Sequence, residues 1–207
     1  MARTRKNTAG EIEAGPWSAQ LGRGTLIMAA ASAVLLAGSR GASAQEEIAG
    51  WGHYALNSAW HHESFVQVAG GVGHSLARRG DGTVVAWGDN TYGQCDVPAL
   101  PGGLTYVDVA AGGWHGLAVR SDGSAVGWGD NDLGQCDVPA LPPGLSYIDV
   151  VAGSSHGLAL RSDGTVLAWG YNNYGQCDVP APPPGLTYIE VAAGEYHSLA
   201  RLSDGTN

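Results

Sequence analysis

The sequence predicts an all-β fold, a β-propeller built from 41-residue blades, and three observations carry that prediction. The first is an internal period without insertion: His74, His115, His156 and His197 are spaced 41 apart, as are Trp87, Trp128 and Trp169, and Cys95, Cys136 and Cys177. Repeats of roughly 40 to 45 residues with several short strands each are the sequence mark of propeller blades. The second is an Asp-Gly pair between two apolar runs, at Asp81-Gly82, Asp122-Gly123 and Asp163-Gly164, with a further copy at Asp204-Gly205. That pair tolerates the positive φ of a tight hairpin turn. The third is composition: 33 Gly among 207 residues, with 44% hydrophobic and 14% charged, suits turn-rich β structure better than disorder.

Taken in chain order, the N-terminus comes first. A basic leader containing Arg3, Arg5, Lys6 and Arg23 precedes an apolar run over 25–38 and the small-residue triplet Ala42-Ser43-Ala44. The run is shorter than the ~20 apolar residues of a bilayer-spanning helix. Residues 1–44 therefore read as a removable signal peptide, which predicts a secreted, periplasmic or extracellular protein with no membrane contact after cleavage. An uncleaved anchor is the rival reading. Residues 45–207, about one domain by length, carry five Lys or Arg against seventeen Asp or Glu, a net charge of −12. Such a surface repels phosphate backbones, so nucleic acid is not an expected partner.

Full units are expected at 65–105, 106–146 and 147–187. Within the second, Tyr106 to Val109 reads as a short strand, and Gly116 to Arg120 and Ser124 to Trp128 as the arms of the Asp-Gly hairpin. Leu117, Val119, Val126 and Trp128 are expected on one face, with Ala118 and Ala125 on the other. The Pro-rich stretch 138–144 cannot be a central strand and serves as a link. A partial unit at 188–207 and the segment 45–64, where Trp51-Gly52 resembles the strand ending in Trp-Gly, predict a composite fourth blade closed by both termini. A closed ring removes exposed sheet edges. A truncated fragment of a larger repeat protein, or two chains joined into a larger ring as a homodimer closed in trans, are the alternatives.

Val109-Ala-Ala-Gly-Gly-Trp-His-Gly-Leu-Ala-Val119, followed by Trp-Gly-x-Asn-x-x-Gly-Gln, resembles the regulator-of-chromosome-condensation repeat family, whose fold is a β-propeller, usually of seven blades. The short unit and its Gly-Gln-x-x-Val-Pro ending look still more like the secreted bacterial branch of that family, typified by the type II beta-lactamase-inhibitory protein. The resemblance implies that the repeated histidines are polar anchors bonding the blade backbone, and that the cysteine after Gly-Gln fills a packing position. Equivalent positions in neighbouring sheets lie roughly 10 Å apart, too far for a disulfide, which needs Cα atoms within about 7 Å. An intermolecular disulfide and a three-thiol metal site are the alternatives for the cysteines.

Several patterns suggest chemistry and fail on inspection. Asp130-Asn131-Asp132 looks like the start of a calcium loop, but Leu141 stands where the twelfth-position glutamate would be. His61-His62-Glu63, near His53, fits no standard metal spacing and reads as a connector. No nucleophile sits beside a base, so no catalytic residues, cofactor or metal site are assigned and the chain reads as non-enzymatic. The informative positions are those that vary inside the fixed frame just before each histidine: Val72-Gly73, Gly113-Trp114, Ser154-Ser155 and Glu195-Tyr196. Their variation implies an outward-facing loop, and aromatics at the matching place of the inhibitory relative help form its binding face. Trp114 and Tyr196, with Glu195, Ser154 and Ser155 beside them, are the expected contacts with a protein ligand. Tyr92, Tyr171 and Tyr174, on the loops after Trp-Gly, form a second set. Asn90, Asn131 and Asn172 in those loops are expected to form turns. Guanine-nucleotide exchange on a small GTPase is the alternative function that the family resemblance supplies.

Overall fold

The computed structural model describes residues 63–206. Eleven strands occur there: β1 (Phe65–Gly70), β2 (His74–Arg79), β3 (Val84–Gly88), β4 (Tyr106–Ala111), β5 (His115–Arg120), β6 (Ala125–Gly129), β7 (Tyr147–Ala152), β8 (His156–Arg161), β9 (Val166–Gly170), β10 (Tyr188–Ala193) and β11 (Ser198–Leu202). They form three antiparallel three-stranded sheets, β1-β2-β3, β4-β5-β6 and β7-β8-β9, and a two-stranded sheet, β10-β11. The described chain is all-β, and none of it is a helix able to cross a membrane. The expected signal peptide and the N-terminal half of the composite blade, with Trp51-Gly52, His53, His61 and His62, lie outside the described residues.

Each hairpin is closed by its Asp-Gly pair. In the second sheet Gly123 adopts φ 82°, a conformation that costs glycine nothing and strains other residues. The preceding aspartate fixes the turn, since Asp122 Oδ1 accepts from the Ser124 amide at 2.9 Å and from its hydroxyl at 2.7 Å. Pro-rich links then carry the chain back along the sheet. They are anchored where the phenol of the next first strand donates to them, as Tyr147 Oη does to the Pro139 carbonyl at 2.6 Å.

The first strand of every sheet is bulged. The register shifts between Tyr106 and Asp108, and at the equivalent steps in β1, β7 and β10. A bulge leaves one residue unpaired and re-aims the next side chain. The unpaired residues Val66, Val107, Ile148 and Ile189 are exposed. The re-aimed ones reach the following sheet: Gln67 Nε2 donates to Asp108 Oδ1 at 2.6 Å, and the Val150 amide donates to Asp108 Oδ2 at 3.0 Å.

The core lies between sheets, as a stacked array requires. Leu76 packs with Tyr106, Val109 and Trp128; Leu117 and Val119 pack with Tyr147, Val150 and Trp169; Leu158 and Leu160 pack with Tyr188, Val191 and Leu202. The face assignment made from the sequence is corrected here. Gly116 is paired with Trp128 and Ala118 with Val126, whereas Leu117 is opposite Gly127. Directly paired residues share a face, so Trp128 and Val126 stand with Ala118, and Leu117 and Val119 stand on the other side. The rings of Trp128 and Trp169 lie over their paired glycines, Gly116 and Gly157, and a Cβ on Gly116 would sit 2.4 Å from Trp128 Cζ2, whereas Trp87 is paired with Ser75. Trp128 and Trp169 are buried, while Trp87 in the first sheet is only half-buried.

Candidate protein-binding face

Strand polarity gathers the variable residues at one end of the array. First and third strands run toward the loops that precede the histidines, and second strands run away from them toward the Asp-Gly turns. The two loop sets touch there: the Tyr171 amide donates to the Ser155 carbonyl and the Asp130 amide to the Trp114 carbonyl, both at 2.9 Å, and Gly113 donates across sheets to Ser154 at 3.0 Å. Trp114, Ser154, Ser155, Glu195, Tyr196, Tyr92, Tyr171 and Tyr174 therefore all lie at this end.

Only some of them meet. Tyr174 packs edge-on against Tyr171, centroids 5.9 Å apart, and against Tyr196 of the next sheet at 5.2 Å. Tyr174 is 68% and Tyr196 51% exposed, large apolar rings held in water by one another. Glu195 hydrogen-bonds the Tyr196 phenol and raises its pKa. The repeat places Tyr92 and Trp114 in the same relation, across the junction of the first two sheets, and Leu133 with Ser155 across the second. Trp114 is less exposed than Tyr92, Tyr174 and Tyr196, and Tyr171, Ser154 and Ser155 are half-buried. A cleft of ≈ 480 Å³ beside β11, where the other sheets carry a third strand, opens at Tyr174 and Tyr196.

The loops after Trp-Gly are rigid for a local reason. Asn131 Nδ2 donates to Asp137 Oδ1 at 2.9 Å while Asn131 Oδ1 accepts the Cys136 amide at 2.8 Å, and the first and third loops repeat this with Asn90 and Asn172. Gln94, Gln135 and Gln176, which the sequence reading passed over, are buried beneath and cap the same loops from inside. Gln135 Oε1 accepts the Leu133 amide, and its carbonyl accepts Trp169 Nε1 at 2.9 Å. The cysteines are free and half-buried. Each thiol donates to a loop carbonyl, Cys136 to Asp130 at 3.2 Å, so the position closes the loop as well as filling space. Burial, with Asp130 and Asp137 nearby, pushes the Cys136 thiol up to about 12.

The histidines behave differently from the polar anchors that the resemblance implied. His74, His115 and His156 are buried against the glycine of their own turn, and a Cβ on Gly112 would fall 2.2 Å from His115 Cε1. Neither ring nitrogen of His115 has a protein hydrogen-bond partner, and His156 Nε2 meets a hydroxyl, Ser198 Oγ, at 3.0 Å. Among the described residues no group of His, Cys, Asp or Glu has the arrangement of a metal site.

These rings give the fold a pH dependence. Burial lowers His74 and His156 to about 4 and His115 to about 3 from 6.5. Between pH 6.5 and 4 the unfolded chain binds protons that the folded chain refuses, so stability falls as pH falls. Asp149 acts in the opposite sense, because burial and the adjacent Asp108 raise it to about 7. It holds a proton in the fold that the unfolded chain has already released above pH 4. Three histidines against one aspartate leave a slope of at most about 2.7 kcal/mol per pH unit, two protons' worth. The midpoint of thermal unfolding should fall steadily from pH 6.5 to 4.5, and fall more steeply in Asp149→Asn. A flat profile would contradict the buried neutral rings.

Charge is segregated along the same axis. Asp89, Asp96, Asp130, Asp132, Asp137, Asp178 and Glu195 belong to the loop end, with no lysine or arginine among them. All five cations of residues 45–207, Arg78, Arg79, Arg120, Arg161 and Arg201, lie on second strands leading into the Asp-Gly turns. There Arg79 pairs with Glu63, and Arg161 with Asp163 at 2.9 Å. The loop end is thus acidic and aromatic, and the turn end is charge-balanced.

Residues 65–94, 106–135 and 147–176 match the model of the regulator of chromosome condensation (RCC1) repeat. Three segments of the chain thus resemble RCC1 repeats. Among solved structures it is similar to yeast RCC1, Prp20p from Saccharomyces cerevisiae, at 26% identity and a TM-score of 0.57, over 69% of this chain and 42% of that one. Prp20 in complex with Kap60 gives 24% identity and a TM-score of 0.56, over 67% of this chain and 42% of that one. The ectodomain of the Physcomitrella patens receptor kinase CR4 gives 25% identity and a TM-score of 0.57, over 71% of this chain and 40% of that one. No curated protein sequence matches significantly. The chain spans about two fifths of the length of these RCC1-type structures, and its fold is that of RCC1 propeller repeats.

Proposed function

We propose that this chain is an exported, non-enzymatic, protein-binding array of RCC1 repeats that uses its loop end to hold a cationic protein segment. The observation that carries the reading is the pair Tyr174 and Tyr196, exposed beside the half-buried Tyr171 on an end that bears carboxylates and no cations. Exposed aromatics attract Lys and Arg through the ring face, and the surrounding carboxylates steer a basic partner toward them. Nucleic acid does not fit such a surface. Export rests on the leader and apolar run, and the receptor-kinase ectodomain is an example of a similar fold outside the cell. Membership of the secreted bacterial branch rests on the Gly-Gln-x-x-Val-Pro endings.

Prp20p is seen bound to Kap60 and has binding properties to Gsp1p and histones, so histones are a suitable cationic probe. The chain should bind histones with an affinity that falls as salt is raised from about 50 to 200 mM. Tyr174→Ala with Tyr196→Ala should weaken binding at least about 30-fold, the ~2 kcal/mol of a hot-spot aromatic. No binding by the unaltered chain, or an unchanged constant in the double variant, would overturn the reading. The family resemblance supplies guanine-nucleotide exchange as a second reading, and acceleration of GDP release from a small GTPase would favour it over the first.

A further inference from the structure

Three times within the described chain, the same two surfaces meet. The trailing face of one sheet presents a leucine from its second strand, and the leading face of the next presents a valine from its bulged first strand. At these junctions Leu76, Leu117 and Leu158 are 0–1% exposed and Val109, Val150 and Val191 are 2–4% exposed. The remaining copy of each is open. Leu199, on the trailing face of the β10-β11 sheet, is 57% exposed, and Val68, on the leading face of β1, is 59% exposed.

The polar contacts of the junction are also present in unmatched halves. His197 is exposed where its three equivalents are buried. At the junction of the third and fourth sheets, His156 Nε2 meets Ser198 Oγ at 3.0 Å. Ser75 occupies the position of Ser198 one full set of sheets earlier, where the second and third sheets have Gly116 and Gly157. Glu190 stands where Asp108 accepts the amide of the following sheet, and the residue that would donate is Val68.

We infer that these two faces are the halves of one further junction, and that a second copy of this chain supplies the missing half of each. The four sheets cannot supply it to themselves in the geometry observed, since Leu199 and Val68 are exposed in the same molecule. A head-to-tail contact closes when its rotation fits, and here it is the rotation already used at the three internal junctions. The Leu199 side of one copy seats on the Val68 side of the other, with His197 Nε2 meeting Ser75 Oγ, and the pair repeats to close the ring.

The test is the light-scattering mass of the full chain and of two variants, Leu199→Asp and Val68→Asp. Both positions are exposed in the single chain, so the changes should leave strand content by circular dichroism intact. A charge at either buried junction should weaken self-association at least ~100-fold. Twice the chain mass is expected for the unaltered protein and the single-chain mass for each variant. An equimolar mixture of the two variants should return to twice the chain mass, because it retains one intact junction. A single-chain or larger mass for the unaltered protein, variants that stay dimeric, or a mixture that stays monomeric would overturn the inference.

Discussion

Replacing Trp169 by alanine should cost the fold about 3–5 kcal/mol, a fifth or more of the ~5–15 kcal/mol that holds a typical domain together. The side chain is buried between the second and third sheets, packed with Leu117 and Val150 over Gly157. Its indole Nε1 donates to the Gln135 carbonyl of the preceding unit at 2.9 Å. Truncation removes the apolar contact, opens a cavity that two backbones cannot collapse into, and leaves a buried carbonyl without its donor. The loss would be read from the urea midpoint at constant slope. Trp87→Ala should cost less than Trp169→Ala, since Trp87 is only half-buried. Equal losses at the two positions would mean that burial between sheets is not what the tryptophans supply.

Gly112→Ala should be among the most damaging of the small substitutions, at about 3 kcal/mol, the upper end of ordinary overpacking. A Cβ there would lie 2.2 Å from His115 Cε1 and 2.6 Å from the Gly153 carbonyl oxygen. The ring could be moved at a cost. The carbonyl belongs to the next sheet, and moving it separates the sheets. Adding His115→Ala should therefore restore only part of the loss. Full restoration would place the whole conflict on the ring and remove the case that glycine sets the spacing of the sheets. Gly102→Ala, with nothing within 4 Å of the added atom, should fall within about 0.5 kcal/mol of the unaltered chain.

The 41-residue period and the Asp-Gly turns were enough to read the hairpins, because both act locally: turn chemistry is written in two residues and the repeat multiplies it. Side-chain parity was harder. Whether Trp128 shares a face with Leu117 or with Ala118 depends on the pairing of β5 with β6, and the expected grouping put large residues together where the register alternates them with glycine. The bulge also escaped notice, although Tyr106 and Val109, buried together three residues apart, mark a break in strict alternation. At the loop end, variability identified the exposed positions, but meeting across sheets is a tertiary property. Tyr174 and Tyr196 touch because they are 22 positions apart in a 41-residue unit, which only the stacking of the sheets reveals. The segregation of charge was legible in principle, since each of the five arginines shortly precedes an Asp-Gly pair, and hairpin polarity sends them all to one end.

The account stands most directly on which end of the array a partner touches, and hydrogen exchange of the chain with and without histones measures it. The expected result is slowed exchange at 89–96, 130–137 and 171–178 and at the loops before His115, His156 and His197, with the Asp-Gly turns at 81–82, 122–123 and 163–164 unchanged. Protection of the turn end instead, with the tyrosine-bearing loops exchanging as they do in the free chain, would contradict the acidic, aromatic loop end as the binding face.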